Sequence, residues 1–208
     1  MNKNLLTRVI IISDDLYYLQ GLSAKLGNHY RFFIECFFCS QNACNNDLST
    51  LRFDNRFTKN VLLVAVDDVS ILAKTARIWP RFLMIVSLRK MKNKKYLLSL
   101  SEQTFISRHI KLNKLITLIK STDKDQQVRQ VTLTRYEWDI YYLYFKIDNK
   151  RILHTLLKKD VKYISHYKIS VFNKFEIACD SDGFYIFKAL IQLRRFTGFK
   201  NVRLYQLH

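Results

Sequence analysis

Apolar and polar positions fall into two kinds of block along this chain. Residues 9–13 are a short β-branched run closed by Asp14 and Asp15, and Leu16, Leu19, Leu22 and Leu26 then recur at helical spacing. Residues 31–38 read as a second strand. Residues 41–60 are polar and asparagine-rich, with a weak helical pattern around 48–53. Residues 61–66 are entirely apolar, as in a strand covered on both faces, and Asp67-Asp68 ends the run. Residues 81–88 form another apolar strand, followed by a basic loop at 89–95. A short fifth strand at 104–107 precedes Leu112, Leu115, Ile116 and Ile119, a helical stripe. This alternation predicts an α/β domain over residues 1–121: a (βα)5 parallel sheet with helices on both faces.

Periodicity stops at residues 122–130, which read as a linker, and the pattern beyond them is helical. Thr134 can cap a helix, with Glu137 three residues on completing a capping box. Trp138, Tyr141, Tyr142 and Phe145 supply its inward side. A second helix is expected at about 149–157, with Ile152, Leu153, Leu156 and Leu157 inward. Lys158-Lys159-Asp160 is a tight turn, and Asp160 caps a third helix at 161–175. Val161, Ile164, Val171, Phe172 and Phe175 form that helix's expected buried stripe, and a fourth helix covers about 183–195. The fold class is α/β followed by all-α, with a four-helix domain at 131–196 and a tail at 197–208.

Charge sharpens this picture. The 208 residues hold 35 Lys and Arg against 17 Asp and Glu, a formal net charge of +18. Such an excess points to a polyanion, either nucleic acid or an acidic membrane surface. The early apolar run is broken by Arg8 and ends at Asp14-Asp15, unlike a signal peptide. No apolar stretch reaches the roughly 18 residues of a membrane span. A soluble, cytoplasmic protein without a membrane partner is expected. Cys36, Cys39 and Cys44 lie close in sequence, but Cys179 is remote and no histidine completes a zinc pattern. Reduced thiols and no metal are expected.

Three short helices with a tight turn before the third describe a helix-turn-helix. The candidate DNA-binding residues are Lys150, Lys158, Lys159, Lys162, Ser165, His166, Lys168, Ile169 and Lys174. Lysines suit phosphates, Ser165 and His166 suit phosphates or base edges, and Ile169 suits a thymine methyl. Leu133-Thr134-x-x-Glu137, then Lys162-Tyr163-Ile164-Ser165-x-x-Lys168 and Lys174-Phe175, is similar to the LuxR/FixJ-type DNA-binding domain. Within that family it resembles the Rcs-type branch of capsule-synthesis regulators. The resemblance covers residues 131 to about 190 and implies a bacterial transcription regulator that inserts residues 150–169 into the major groove. It implies double-stranded DNA as partner, a homodimer or a heterodimer with another LuxR-type regulator, and contact with RNA polymerase. Ile147 stands where many members have glycine, and His154 where they have a small alanine.

The same family resemblance implies a response-regulator receiver for the first domain. Asp14 and Asp15 take the place of the acidic pair that holds Mg²⁺, and Ser87 takes the hydroxyl place. The phosphoacceptor place falls on Ala65, with Asp67 two residues on, and Arg108 stands in the lysine place. A degenerate receiver pocket is therefore expected, serving dimerisation or partner binding rather than a phosphoswitch. The alternative is an interaction protein that titrates another regulator without binding DNA.

An enzyme is not expected. The chain has no Walker loop and no Gly-x-Ser-x-Gly nucleophile motif, and its four glycines leave little room for phosphate-cradling loops. A metal-dependent nuclease would need Asp14, Asp15, Asp67 and Asp68 to hold two metals. No cofactor is expected.

Overall fold

The first apolar run forms β1 (Thr7–Ser13), in which every residue is buried. In the computed structural model the described residues are 6–39, 54–78, 83–88, 97–100, 103–121, 129–130, 132–147, 152–177 and 179–197. The chain divides into two units, Met1–Gln130 and Val131–His208.

In the first unit α1 (Leu16–Gly27) follows β1, then β2 (Phe32–Phe38), β3 (Lys59–Ala65), α2 (Val69–Ile78), β4 (Leu83–Leu88), β5 (Leu97–Leu100), β6 (Gln103–Ser107), α3 (Leu112–Lys120) and β7 (Arg129–Gln130). Strand order across the sheet is β2-β1-β3-β4-β6-β5-β7. The first five of these are mutually parallel, with Ser13 opposite both Phe38 and Ala65. Val9, Ile11, Val61, Leu63, Ile85 and Ile106 pack on one face against Leu19, Leu22 and Leu26 of α1 and Leu115, Leu118 and Ile119 of α3. Ile10, Ile12, Leu62, Val64 and Val86 alternate with them and are buried as well. Burial on both faces explains the unbroken aliphatic runs. β2 lies at the edge of the sheet, and of its residues Phe32 is buried while the rest are half-buried or exposed.

The (βα)5 pattern departs from expectation beside β4. Leu97–Leu100 is a strand, antiparallel to β6, where a helix was expected. Arg129 and Gln130, the end of the expected linker, pair with β5 instead of lying free. The weak helix at 48–53, the basic loop at 89–95 and residues 122–128 fall outside the described residues. One cysteine expectation is corrected. Cys39 is disulfide-bonded, while Cys36 and Cys179 carry free thiols. Cys39 lies one residue beyond the end of β2, and the spacing of the cysteines in sequence could not show that its thiol would be bonded.

The second unit contains α4 (Arg135–Lys146), α5 (Leu153–Leu157), α6 (Val161–Phe175) and α7 (Asp180–Thr197). Thr134 and Glu137 form the capping box at the start of α4. Tyr141 is fully buried and its ring meets those of Phe145, Phe175 and Phe187. Its hydroxyl donates to the Gly183 carbonyl at 2.6 Å. A second cluster joins Ile140, Leu153 and Ile164.

Candidate nucleic-acid interface and receiver-like pocket

Asp160 accepts a hydrogen bond from the Lys162 N–H and starts α6 directly after the turn from α5. At that turn Lys158 adopts the left-handed conformation, φ 49°, while its N–H and that of Lys159 bond back to the last carbonyls of α5. Of the expected buried stripe on α6, Ile164, Val171 and Phe175 are buried. Phe172 is half-buried and stacks on Phe145. Val161 is a correction: it is 60% exposed. It stands four residues before Ser165, so it follows the outward row 161, 165, 169 rather than the row of Ile164. Ile152 and Leu156, expected inward, are also exposed, because α5 is a short helix that buries only Leu153 fully.

The outer face of α6 therefore presents Val161, Lys162, Ser165, His166 and Ile169, all exposed. Lys158 and Lys159 are exposed at its leading end, with the Lys159 ammonium 5.2 Å from the Tyr163 ring centroid. Lys150 lies outside the described residues. Lys168 and Lys174, expected as uncompensated cations beside these, are both engaged in ion pairs within the unit. Lys168 Nζ lies 2.7 Å from Asp180 Oδ1 and donates to the Tyr144 hydroxyl, which itself donates to Asp180 Oδ2. Burial alone would lower the Lys168 pKa, but Asp180 and Tyr144 outweigh it and raise it above the ordinary value. Lys174 Nζ bonds Glu137 Oε2 at 2.6 Å and the Thr132 carbonyl at 3.1 Å.

Glu137 itself is buried. Besides Lys174 it accepts from the Ser170 hydroxyl and the Thr134 N–H. Burial pushes its carboxyl pKa up. The bonds from Lys174, Thr134 and Ser170 more than offset this and hold it below the ordinary value. A sequence signal for these roles exists. Lys168 sits four residues after Ile164 and three before Val171, on the apolar stripe, and Lys174 follows Val171 by three.

Neither departure from the family pattern obstructs the fold. Ile147 ends α4 at φ −97°, a conformation open to any residue, and packs beside the Ile140–Leu153–Ile164 cluster. His154 is exposed rather than wedged between helices, with its ring nitrogen 3.3 Å from the Thr155 hydroxyl.

In the first unit the carboxyl ends of β1, β3, β4 and β6 bring together Asp14, Asp67, Ser87 and Arg108. Arg108 Nη2 lies 3.5 Å from Asp14 Oδ1 and 3.4 Å from Asp67 Oδ1. The Asp67 N–H donates to Asp14 Oδ2 at 2.6 Å. Asp15 does not join them, because its carboxylate caps α1 by accepting from the Tyr18 N–H. The Tyr18 ring lies beside the guanidinium, 5.3 Å from its centroid, and its hydroxyl shares a hydrogen bond with Ser87 Oγ at 3.2 Å. Burial is the main cause that raises the Tyr18 pKa. Ala65 ends β3 where an acceptor carboxylate would be needed.

These residues do not fit the Mg²⁺ that a receiver would hold. A guanidinium already lies against the two carboxylates that would bind the ion and offsets part of their charge, and Asp15 is used as a helix cap. No group of three or more His, Cys, Asp or Glu side chains among the described residues could hold a metal ion. No helix among them is long and apolar enough to cross a membrane.

No protein-family model matches the sequence, and no curated protein does. Solved structures do match its three-dimensional form. An RcsB chain, from a structure of two RcsB dimers bound to two parallel DNAs, aligns with TM-score 0.54 and 15% identity, covering 89% of this chain and 99% of that one. The chain has the fold of the response regulator RcsB, a LuxR/FixJ-type regulator. RcsB from Salmonella enterica serovar Typhimurium, bound to promoter rprA with the phosphomimetic BeF3⁻, aligns with TM-score 0.53 and 15% identity over 88% of this chain and 98% of that one. A third RcsB–DNA complex gives TM-score 0.50 at 16% identity, with 89% and 99% covered. The extent of the RcsB match takes in both the sheet unit and most of the helical unit.

Proposed function

We propose that this chain is a sequence-specific DNA-binding transcription regulator of the LuxR/FixJ type. It would act in the bacterial cytoplasm, with its receiver-like unit serving dimerisation or partner binding rather than a phosphoswitch. The observation that carries the reading is the outer face of α6. A helix whose inner face is core leaves Val161, Lys162, Ser165, His166 and Ile169 exposed on the other, behind an exposed Lys158-Lys159 turn. The +18 net charge favours a polyanionic partner for that face.

In this reading Lys158, Lys159 and Lys162 meet phosphates, with Lys150 beside them on sequence grounds. Ser165 and His166 reach phosphates or base edges, and Ile169 meets a thymine methyl. Lys168 and Lys174 have structural roles through Asp180 and Glu137. The RcsB structures bound to DNA support the choice of partner. A homodimer, a heterodimer with another LuxR-type regulator and contact with RNA polymerase belong to the same proposal. The Ala65 and Arg108 substitutions support the absence of a phosphoswitch. Selection of duplexes from a random pool, followed by mobility shift against nonspecific DNA, tests the function. Lys162→Ala is expected to weaken binding to all sequences, and His166→Ala to reduce discrimination. A chain that binds no duplex even at low salt refutes the proposal.

A further inference from the structure

Arg108 is an unusual group to find at the carboxyl edge of a parallel sheet. Its side chain is only 5% exposed, and Nε, Nη1 and Nη2 make no hydrogen bond among the described residues. Burying an ionised guanidinium without hydrogen bonds is costly, and nearby opposite charge is what offsets that cost. Here two carboxylates supply it, Asp14 from the end of β1 and Asp67 from beyond β3, at 3.5 and 3.4 Å from the same nitrogen. Tyr18 packs beside the guanidinium, and its hydrogen bond to Ser87 ties α1 to β4.

We propose that Arg108 is a resident cation that takes the place of the divalent ion, so that the pocket is closed to metal and its state is fixed by the sequence rather than by a ligand. Mg²⁺ binds oxygen ligands at about 2.0–2.1 Å in near-octahedral geometry, usually with one or two carboxylates. Asp14 and Asp67 could contribute to such a site. With Arg108 between them, an incoming ion would lose much of their attraction and meet the guanidinium's repulsion. Removing only the positive charge should uncover a latent cation site. This inference rests on the reading of the first unit as a relative of metal-binding receivers.

The test is a Mn²⁺ titration of the full chain, following the paramagnetic resonance signal of the free ion, with thermal midpoints measured with and without Mn²⁺. The wild type should take up no Mn²⁺ at this site, and its midpoint should not respond. Arg108→Met keeps the apolar stem without the charge and should bind Mn²⁺ at least about tenfold more tightly than the wild type. Adding Asp14→Asn should abolish that binding, and Arg108→Lys should stay closed. Wild-type binding lost in Asp14→Asn overturns the proposal, as does a folded Arg108→Met that ignores Mn²⁺.

If Arg108→Met does not fold, Asp14→Asn in the wild-type background decides. A buried cation that loses a partner lowers the midpoint without Mn²⁺. Two carboxylates left to repel each other around an empty metal site would be relieved by the same change, and the midpoint would rise. None of these outcomes depends on DNA binding, so a failed mobility shift and a failed metal titration are separate results.

Discussion

Removing the ammonium of Lys174 separates a structural cation from a DNA-contacting one. Glu137, with its side chain 5% exposed, is bonded to Lys174 Nζ at 2.6 Å, while the Lys174 side chain is 34% exposed. Truncating one partner of a fully buried pair costs about 3–5 kcal/mol, because the other charge is left uncompensated. Partial exposure of Lys174 discounts that figure, and Glu137 keeps its bonds from Ser170 and the Thr134 N–H. Lys174→Gln should then cost about 2 kcal/mol. At roughly 4–8 °C per kcal/mol for a domain of this size, the melting temperature of the second unit should fall by about 10 °C. The chain has two tryptophans, so a Trp79→Phe background leaves Trp138, buried in this unit, as the fluorescent reporter. Below that melting temperature, the salt dependence of DNA binding should be unchanged in Lys174→Gln. Lys162→Ala should do the reverse: an unchanged melting temperature, and a slope of log K against log salt smaller by about one. A Lys174→Gln variant that melts like the wild type but loses a unit of salt slope would refute the assignment.

Phe175→Ala removes a fully buried ring against Tyr141 and should cost about 3–5 kcal/mol, whereas Val161→Ala, at a 60% exposed site, should leave chemical denaturation of the unit unchanged. Glu137 makes the second unit sensitive to acid. Its folded pKa lies below its ordinary 4.5, so its contribution is full above that range and is lost as pH falls through the lowered value. Melting temperatures across that range should show the loss, and Glu137→Gln should flatten it. A Cβ at Gly183 would lie 2.9 Å from the rings of both Phe145 and Phe172. Gly183→Ala should therefore destabilise the unit by about 1–3 kcal/mol despite alanine's better helix propensity, as read by urea denaturation. Lys158→Gly should raise stability by about 0.4–1 kcal/mol, since glycine accepts the left-handed turn without strain, yet weaken DNA binding; a gain in both would remove Lys158 from the interface.

The order of strands and helices was legible in the chain because doubly covered strands must be apolar at every position and amphipathic helices every third or fourth. Residues 61–66 and the leucines of α1 could take few other forms. The capping box at Thr134 and Glu137 and the Asp160 cap were equally local, so the bounds expected for α6 coincide with those found. The strand at Leu97–Leu100 was not legible, since a short apolar run carries no period that separates strand from helix, and only pairing with β6 decides it. The fate of each charge was likewise a tertiary matter. Lys162 and Lys168 look alike in sequence, but the helix turns one toward solvent and the other toward Asp180, which arrives from α7. Arg108 could be read from sequence only as a lysine replacement. Sheet register brings it between Asp14 and Asp67, and a cation's role follows from the carboxylates that surround it.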